Sequence, residues 1–257
     1  MIVLKNVKQI EKIRKACSLV AEGLSEIKKM AQPGVLTLDL DAWAENFCYD
    51  HGALPAFKGY RNFPYTLCSS VNSEIVHGFP KKSPLLEGDI LSIDFGVLLD
   101  GYYGDSAFTL PIGKVSDEAS HLISIGKECL YKGIKATKEG NRLNQISHAI
   151  QSHAEGNGYN VVRKYVGHGV GAYLHEDPQI PNYTKDPNGG VLLKHGMVLA
   201  VEPMILQFKQ ETVTNKNKWT VRTKDNGLAV HWEHTVVLTN KGMEILTLRK
   251  GEVYELY

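Results

Sequence analysis

Ile90-Leu91-Ser92-Ile93-Asp94-Phe95-Gly96-Val97-Leu98-Leu99-Asp100-Gly101-Tyr102-Tyr103-Gly104-Asp105-Ser106-Ala107 is the stretch on which the fold turns. Two β-rich runs flank an Asp-Gly pair, the strongest short signal for a hairpin. With Asp100-Gly101 as a two-residue turn, Leu99 faces Tyr102 and Asp94 faces Ala107. Asp105 is then the diagonal neighbour of Asp94 on the same sheet face, roughly 5–8 Å away. Two bare carboxylates that close repel, and a cation between them is the simplest remedy. A solvated hairpin end is the alternative, but Asp94 sits between Ile93 and Phe95.

On the N-terminal side, Ile10, Ile13, Cys17, Val20, Leu24, Ile27 and Met30 recur at spacings of three and four, so one long amphipathic helix is expected, with Asn6 as its N-cap. Gln32-Pro33-Gly34 ends it, and a second helix after Thr37 closes at His51-Gly52. Beyond the hairpin, helices return over roughly 116–135 and 142–156, followed by strands at Val161 to Val166, Met197 to Glu202, Trp219 to Val221 and His231 to Leu238. The order helix, helix, strands thus occurs twice. An α+β fold of two halves, roughly 1–115 and 116–257, is expected, with packed sheets and a cleft where the halves meet.

More chemistry-bearing residues lie along these strands. His168 stands between glycines in Val166-Gly167-His168-Gly169-Val170-Gly171, which permits close backbone approach. That stretch lacks the lysine of a phosphate-binding loop, and no helical pattern follows it. Glu202 follows the apolar run Met197 to Val201, and Glu233 precedes Thr235-Val236-Val237-Leu238. A glutamate inside an apolar strand needs a charged partner; few basic residues are near, and a metal supplies one. One imidazole and four carboxylates suit a pair of hard divalent cations. His77 and His175, near strand ends, are candidates to donate hydrogen bonds to a substrate carbonyl or a developing oxyanion.

Composition excludes other classes. With 29 Lys+Arg against 28 Asp+Glu, nothing marks a nucleic-acid surface. Cys17, Cys48, Cys68 and Cys129 form no C-x-x-C pair, which disfavours a zinc ribbon and fits reduced thiols in the cytoplasm. The first residues are interrupted by charges and contain no apolar core of a signal peptide, and no run of about 18 apolar residues could span a membrane.

Taken in order, these segments resemble the methionine aminopeptidases, in particular their short bacterial type I form, within the pita-bread metallopeptidases. The resemblance rests on Cys68 to His77-Gly78-Phe79-Pro80, Asp94 with Asp105, His168 with His175, Glu202-Pro203-Met204, and Trp219 upstream of Glu233-His234-Thr235. It covers essentially the whole chain. It implies a single catalytic domain of two pseudo-symmetric halves, antiparallel sheets flanked by helices, and removal of the initiator methionine, preferring a small second residue.

By the same resemblance Asp94, Asp105, His168, Glu202 and Glu233 hold two divalent ions, Fe(II), Mn(II) or Co(II), with Asp105 and Glu233 bridging. Glu202 assists proton transfer, His77 contacts the substrate amide and His175 its carbonyl. The methionine pocket falls to Tyr60, Phe63, Cys68, Leu174 and Trp219. Phe63 stands where a tyrosine is usual, Leu174 where an aromatic is usual, and Phe57 where a small cysteine is common. Nascent polypeptide N-termini are the implied partners, with docking at the ribosome open; a cytoplasmic monomer that engages neither nucleic acid nor membrane is expected. An Xaa-Pro peptidase is the rival within the fold, but Met204 stands after Glu-Pro where glycine is typical of those enzymes. A binding protein that has lost its metals is the rival outside catalysis, and it would show broken ligand positions.

Overall fold

The computed structural model describes residues 1–254. Four helices, α1 (Val7–Met30), α2 (Thr37–Asp50), α3 (Asp117–Ala136) and α4 (Asn144–Gly156), flank antiparallel sheets, giving the α+β class expected. Asn6 caps α1 through a reciprocal capping box with Gln9, whose backbone N–H reaches Asn6 Oδ1 at 3.0 Å. The buried face of α1 is the stripe read from the sequence, apart from Met30, which is only partly buried, and it packs on the hairpin strands.

The hairpin has the expected register. Ile90–Leu99 pairs with Tyr102–Pro111, Leu99 faces Tyr102, Asp94 faces Ala107 and Gly96 faces Asp105. Asp100 and Gly101 both have positive φ, 50° and 78°, as the tight turn requires. Leu54–Pro55 and Leu67–Val71 pair with Ile90–Leu99 to complete this sheet. The second large sheet runs Gly242–Ile245, His234–Thr239, Val198–Val201, Val166–Gly169, Glu176–Pro181. Two sheets of three short strands fill the space around them. One apolar cluster joins residues of all four helices, including Leu24, Phe47, Leu130 and Ile150, to Phe95 and Val201 from the two large sheets.

Several strand expectations need correction. The strand read over Val161 to Val166 is interrupted: Asn160–Val161 pairs with Met204–Leu206, while Val166–Gly169 belongs to the large sheet. Lys164 and Arg163 lie in the bend between them, where charged side chains stay toward solvent. The strand expected at Trp219 to Val221 begins at Val221, and the run from His231 to Leu238 is split into Ala229–His231 and His234–Thr239. Glu202 and Glu233 therefore sit where strands break and not in strand interiors, which frees their side chains to converge.

Polar side chains join the hairpin to the second half where no ladder does. Ser106 Oγ donates to the Glu233 carbonyl at 2.6 Å and Thr235 Oγ1 donates to the Asp105 carbonyl at 2.7 Å. The Glu233 N–H donates to the Ala107 carbonyl at 2.8 Å. All these groups are buried, so each bond satisfies a polar group that would otherwise be stranded. The effect is to fix Asp105 and Glu233 relative to one another through their own main chains.

Candidate metal centre and active site

Five side chains converge at the junction of the halves. Asp94 and Asp105 come from the hairpin, His168 from Val166–Gly169, Glu202 from the end of Val198–Val201, and Glu233 from the gap before His234–Thr239. Ligand atoms of Asp105, His168 and Glu233 lie within 4.8 Å of one another. His168 Nε2 is 3.8 Å from Asp105 Oδ2 and 3.5 Å from Glu202 Oε1. Asp94 stands outside that tight trio, beside Asp105 on the hairpin face.

The glycines around His168 are required by crowding. A Cβ on Gly167 would lie 2.4 Å from the Ala200 carbonyl oxygen, and one on Gly169 would lie 2.3 Å from that of Asp177. Only at this approach does His168 reach the carboxylates. Its Nδ1 is 2.9 Å from the Gly169 carbonyl, an obligate acceptor, so Nδ1 carries the proton and the Nε2 lone pair faces the carboxylates.

Burial raises all four carboxyl pKa values. Asp94 and Glu202 are each pushed up to about 7, and Asp105 and Glu233 lie well above the carboxylate range, with neighbouring carboxylates adding to the rise in both. Among the described residues their ion-pair partners are imidazoles, not Lys or Arg. Asp94 Oδ1, Asp105 Oδ1 and Glu233 Oε1 are buried without a hydrogen-bond partner. Stranded anionic oxygens around one free imidazole lone pair fit a divalent cation, and little else would make this arrangement favourable.

Those raised carboxyl groups set a pH dependence. In metal-free protein they contribute stability that is complete at acid pH and lost as pH rises, through about 7 for Asp94 and Glu202, with Asp105 and Glu233 raised in the same direction. The half-buried imidazole of His77 acts oppositely: lowered to about 4 mainly by burial, it weakens the fold below the ordinary imidazole range and not above it. Cations compensate the carboxylates alone. The gain in Tm on adding Mn(II) is therefore expected to grow as pH rises through about 7; thermal melts with and without the ion check this, and a constant gain would contradict it.

Next to the carboxylates is a cavity of about 150 Å³ lined by Phe57, Tyr60, Phe63, Cys68, Leu174, Trp219, His77 and His175, with Arg61 also in its wall. All five candidate ligands line it too. Trp219 meets Phe63 edge-on at 5.1 Å and His77 at 6.0 Å. His175 Nδ1 lies 2.9 Å from the Tyr60 hydroxyl, and its ring is 4.3 Å from that of His168. Every residue singled out from the sequence thus borders one space.

This arrangement has close counterparts. Residues 11–240 match the model of metallopeptidase family M24, and the chain is 50% identical over 249 residues to a methionine aminopeptidase of Clostridium acetobutylicum, covering 96% of this chain and 99% of that one. The chain belongs to the methionine aminopeptidases of metallopeptidase family M24. The crystal structure of methionine aminopeptidase from Thermotoga maritima superposes with a TM-score of 0.94 at 44% identity, spanning 96% of this chain and 99% of that one. A prolidase from Pyrococcus furiosus shares the pita-bread fold at a TM-score of 0.77, but at 24% identity and with 66% of its own length covered. Membership of M24 brings a divalent metal requirement, which the stranded carboxylates independently suggest. No helix among the described residues is long and apolar enough to cross a membrane.

The structure of this M24 member also brings in residues that were not singled out. His231 is buried beside Glu202, its Nε2 3.5 Å from Glu202 Oε2; a lone histidine at a strand end carries no sequence signal. Buried Arg249 donates from Nη1 to Ser106 Oγ at 3.2 Å and from Nη2 to Glu252 at 3.0 Å, behind the strand that bears Asp105. Lys5 forms a buried ion pair with Glu176, tying the N-terminal segment to the loop that carries Leu174 and His175.

Proposed function

We propose that Asp94, Asp105, His168, Glu202 and Glu233 hold two divalent ions, Fe(II), Mn(II) or Co(II), and that His77, His175 and Glu202 act on substrate beside them. The chain is a metal-dependent aminopeptidase that removes N-terminal methionine. The observation that carries the site assignment is the group of four converging carboxylates, Asp105 and Glu233 buried and Asp94 and Glu202 nearly so, for which the ion pairs among the described residues are to imidazoles and none is to Lys or Arg. Bound divalent ions supply Lewis acidity toward the scissile carbonyl and acidify an attacking water.

The chain's own groups do the rest. Glu202, whose carboxylate lies 3.5 Å from His168 at the edge of the cavity, is placed to accept a proton from the attacking water and pass it to the leaving amine. Desolvation by its neighbours and the adjacent His168 lower the pKa of the solvent-exposed His175 to about 3, so the ring is neutral, and with its Nδ1 engaged by the Tyr60 hydroxyl its Nε2–H is free to donate to the carbonyl oxygen as negative charge develops there. His77, wedged against Trp219 and Tyr165, is positioned for the substrate amide. Phe57, Tyr60, Phe63, Cys68, Leu174 and Trp219 enclose the methionine side chain, whose flexible thioether packs well against aromatic edges. Burial raises the Cys68 pKa far above the thiol range, so it stays a neutral apolar wall.

Ligands from both halves meet in one centre, so the whole chain acts as one catalytic domain in this reading. Its substrates are nascent polypeptides, approached as a monomer in the cytoplasm. Protein stripped of metal and reloaded anaerobically with Fe(II), Mn(II) or Co(II) is expected to release Met from Met-Ala-Ser, to act far more slowly on a Met-Leu-Ser peptide, and to leave Lys-Pro-Ala intact. Cleavage of the Xaa-Pro peptide without Met release would overturn the reading.

A further inference from the structure

We propose that His231 is a positioning residue for Glu202, donating its Nε2–H to Glu202 Oε2 and so holding the carboxylate in the orientation that proton transfer needs. This rests on the reading of Glu202 as a ligand and proton carrier, and assigns a second imidazole to the same carboxylate. Glu202 stands between two rings: Oε1 is 3.5 Å from His168 Nε2, and Oε2 is 3.5 Å from His231 Nε2. His231 Nε2 is buried and has no hydrogen-bond partner at ordinary length. A ring nitrogen in that position either carries a proton toward the carboxylate or presents a lone pair to an anion, and the first arrangement is strongly favoured.

The backbone around His231 is built to keep it there. The Thr109 hydroxyl accepts from the His231 N–H at 3.0 Å and donates to the His231 carbonyl at 2.9 Å, so one side chain clamps both main-chain groups. Ser92 Oγ lies 2.8 Å from Thr109 Oγ1 and supports the clamp from the facing strand. His231 pairs with Met204, and the Trp232 N–H donates to the Pro203 carbonyl at 3.1 Å, which ties the histidine to the segment directly following Glu202. Together these contacts set the separation of the imidazole from the carboxylate. The clamp fixes the main chain whatever side chain stands there; what is particular to histidine is the ring nitrogen aimed at Glu202, which a leucine filling the same space would not supply.

The test uses His231→Gln, His231→Asn and His231→Leu in the full chain loaded with Mn(II). Partners that orient a ligand to a metal typically contribute about 10–100-fold in activity or affinity, so His231→Leu is expected to lower kcat by about that factor, with KM for Met-Ala-Ser within about twofold and manganese content unchanged. Glutamine, whose amide nitrogen reaches the place of Nε2, is expected to restore most of the rate, and asparagine, whose amide reaches only the level of Nδ1, is not. Should the leucine variant fail to fold, the glutamine and asparagine pair still decides. In stripped wild-type protein, nitrogen NMR is expected to show His231 protonated at Nε2. Equal rates for the glutamine and asparagine variants, an unimpaired leucine variant, loss of manganese from it, or an Nδ1-protonated ring would each overturn the proposal. Met release by the wild type, measured alongside, tests the underlying reading separately.

Discussion

Asp105→Asn is expected to lower kcat/KM for Met-Ala-Ser by about 10³-fold or more and to abolish tight binding of metal, because the substituted amide cannot offer two anionic oxygens to a pair of cations. Asp105 is 4% exposed and is crowded by Asp94 and Glu233, and its Oδ1 is stranded. The same substitution should therefore raise the Tm of the metal-free protein, since a neutral amide removes a buried group that suffers both desolvation and like-charge repulsion. Loss of activity together with a more stable apo fold separates a ligand from a structural residue, whose loss would lower both. Metal analysis by mass spectrometry and melts of stripped protein check the pair of effects; retained metal with an intact rate would remove Asp105 from the centre.

His175→Ala is expected to cost about 10²–10³ in kcat, the scale of losing one preorganised donor to an oxyanion, while metal content stays at the wild-type level. Although His175 is exposed, desolvation by its neighbours and the adjacent His168 lower its pKa to about 3, so it serves as a hydrogen-bond donor and not as a cation at working pH. Its Nδ1 is engaged by Tyr60, which orients the ring, so Tyr60→Phe should weaken the rate in the same sense but by less. The His175 side chain projects from the loop before Glu176–Pro181, separate from the strands that carry the candidate ligands. If His175→Ala protein lost its metal, the residue would have to be placed among the ligands instead.

Much of this site was legible because its informative part is local. The Asp100-Gly101 turn sets the hairpin register, and register alone brings Asp94 and Asp105 to one face. The stripe on α1 and its Asn6 cap are equally local. Pro203 marks the end of the strand before Glu202, but nothing in the run from His231 to Leu238 marks the break at Trp232-Glu233, because its composition looks continuous. The short sheets, with strands such as Glu74–Val76 and Thr212–Thr214, are too brief for any periodicity to develop. His231, Arg249 and Lys5 act through partners far away in the chain, Glu252 beside Arg249 excepted, and such pairings leave no spacing to read. Recognition of the family came from the order of motifs along the whole chain, where each residue alone had an ordinary structural explanation.

On the proposed reading, five residues from two halves assemble a two-ion centre that cleaves the first peptide bond after methionine. A titration of stripped protein with Mn(II), following bound metal and Met release from Met-Ala-Ser in the same samples, tests it most directly. Activity that appears with metal and binding that saturates at two ions per chain is the predicted result; full activity in rigorously metal-free protein, or Mn(II) binding that leaves Met-Ala-Ser uncleaved, would contradict it.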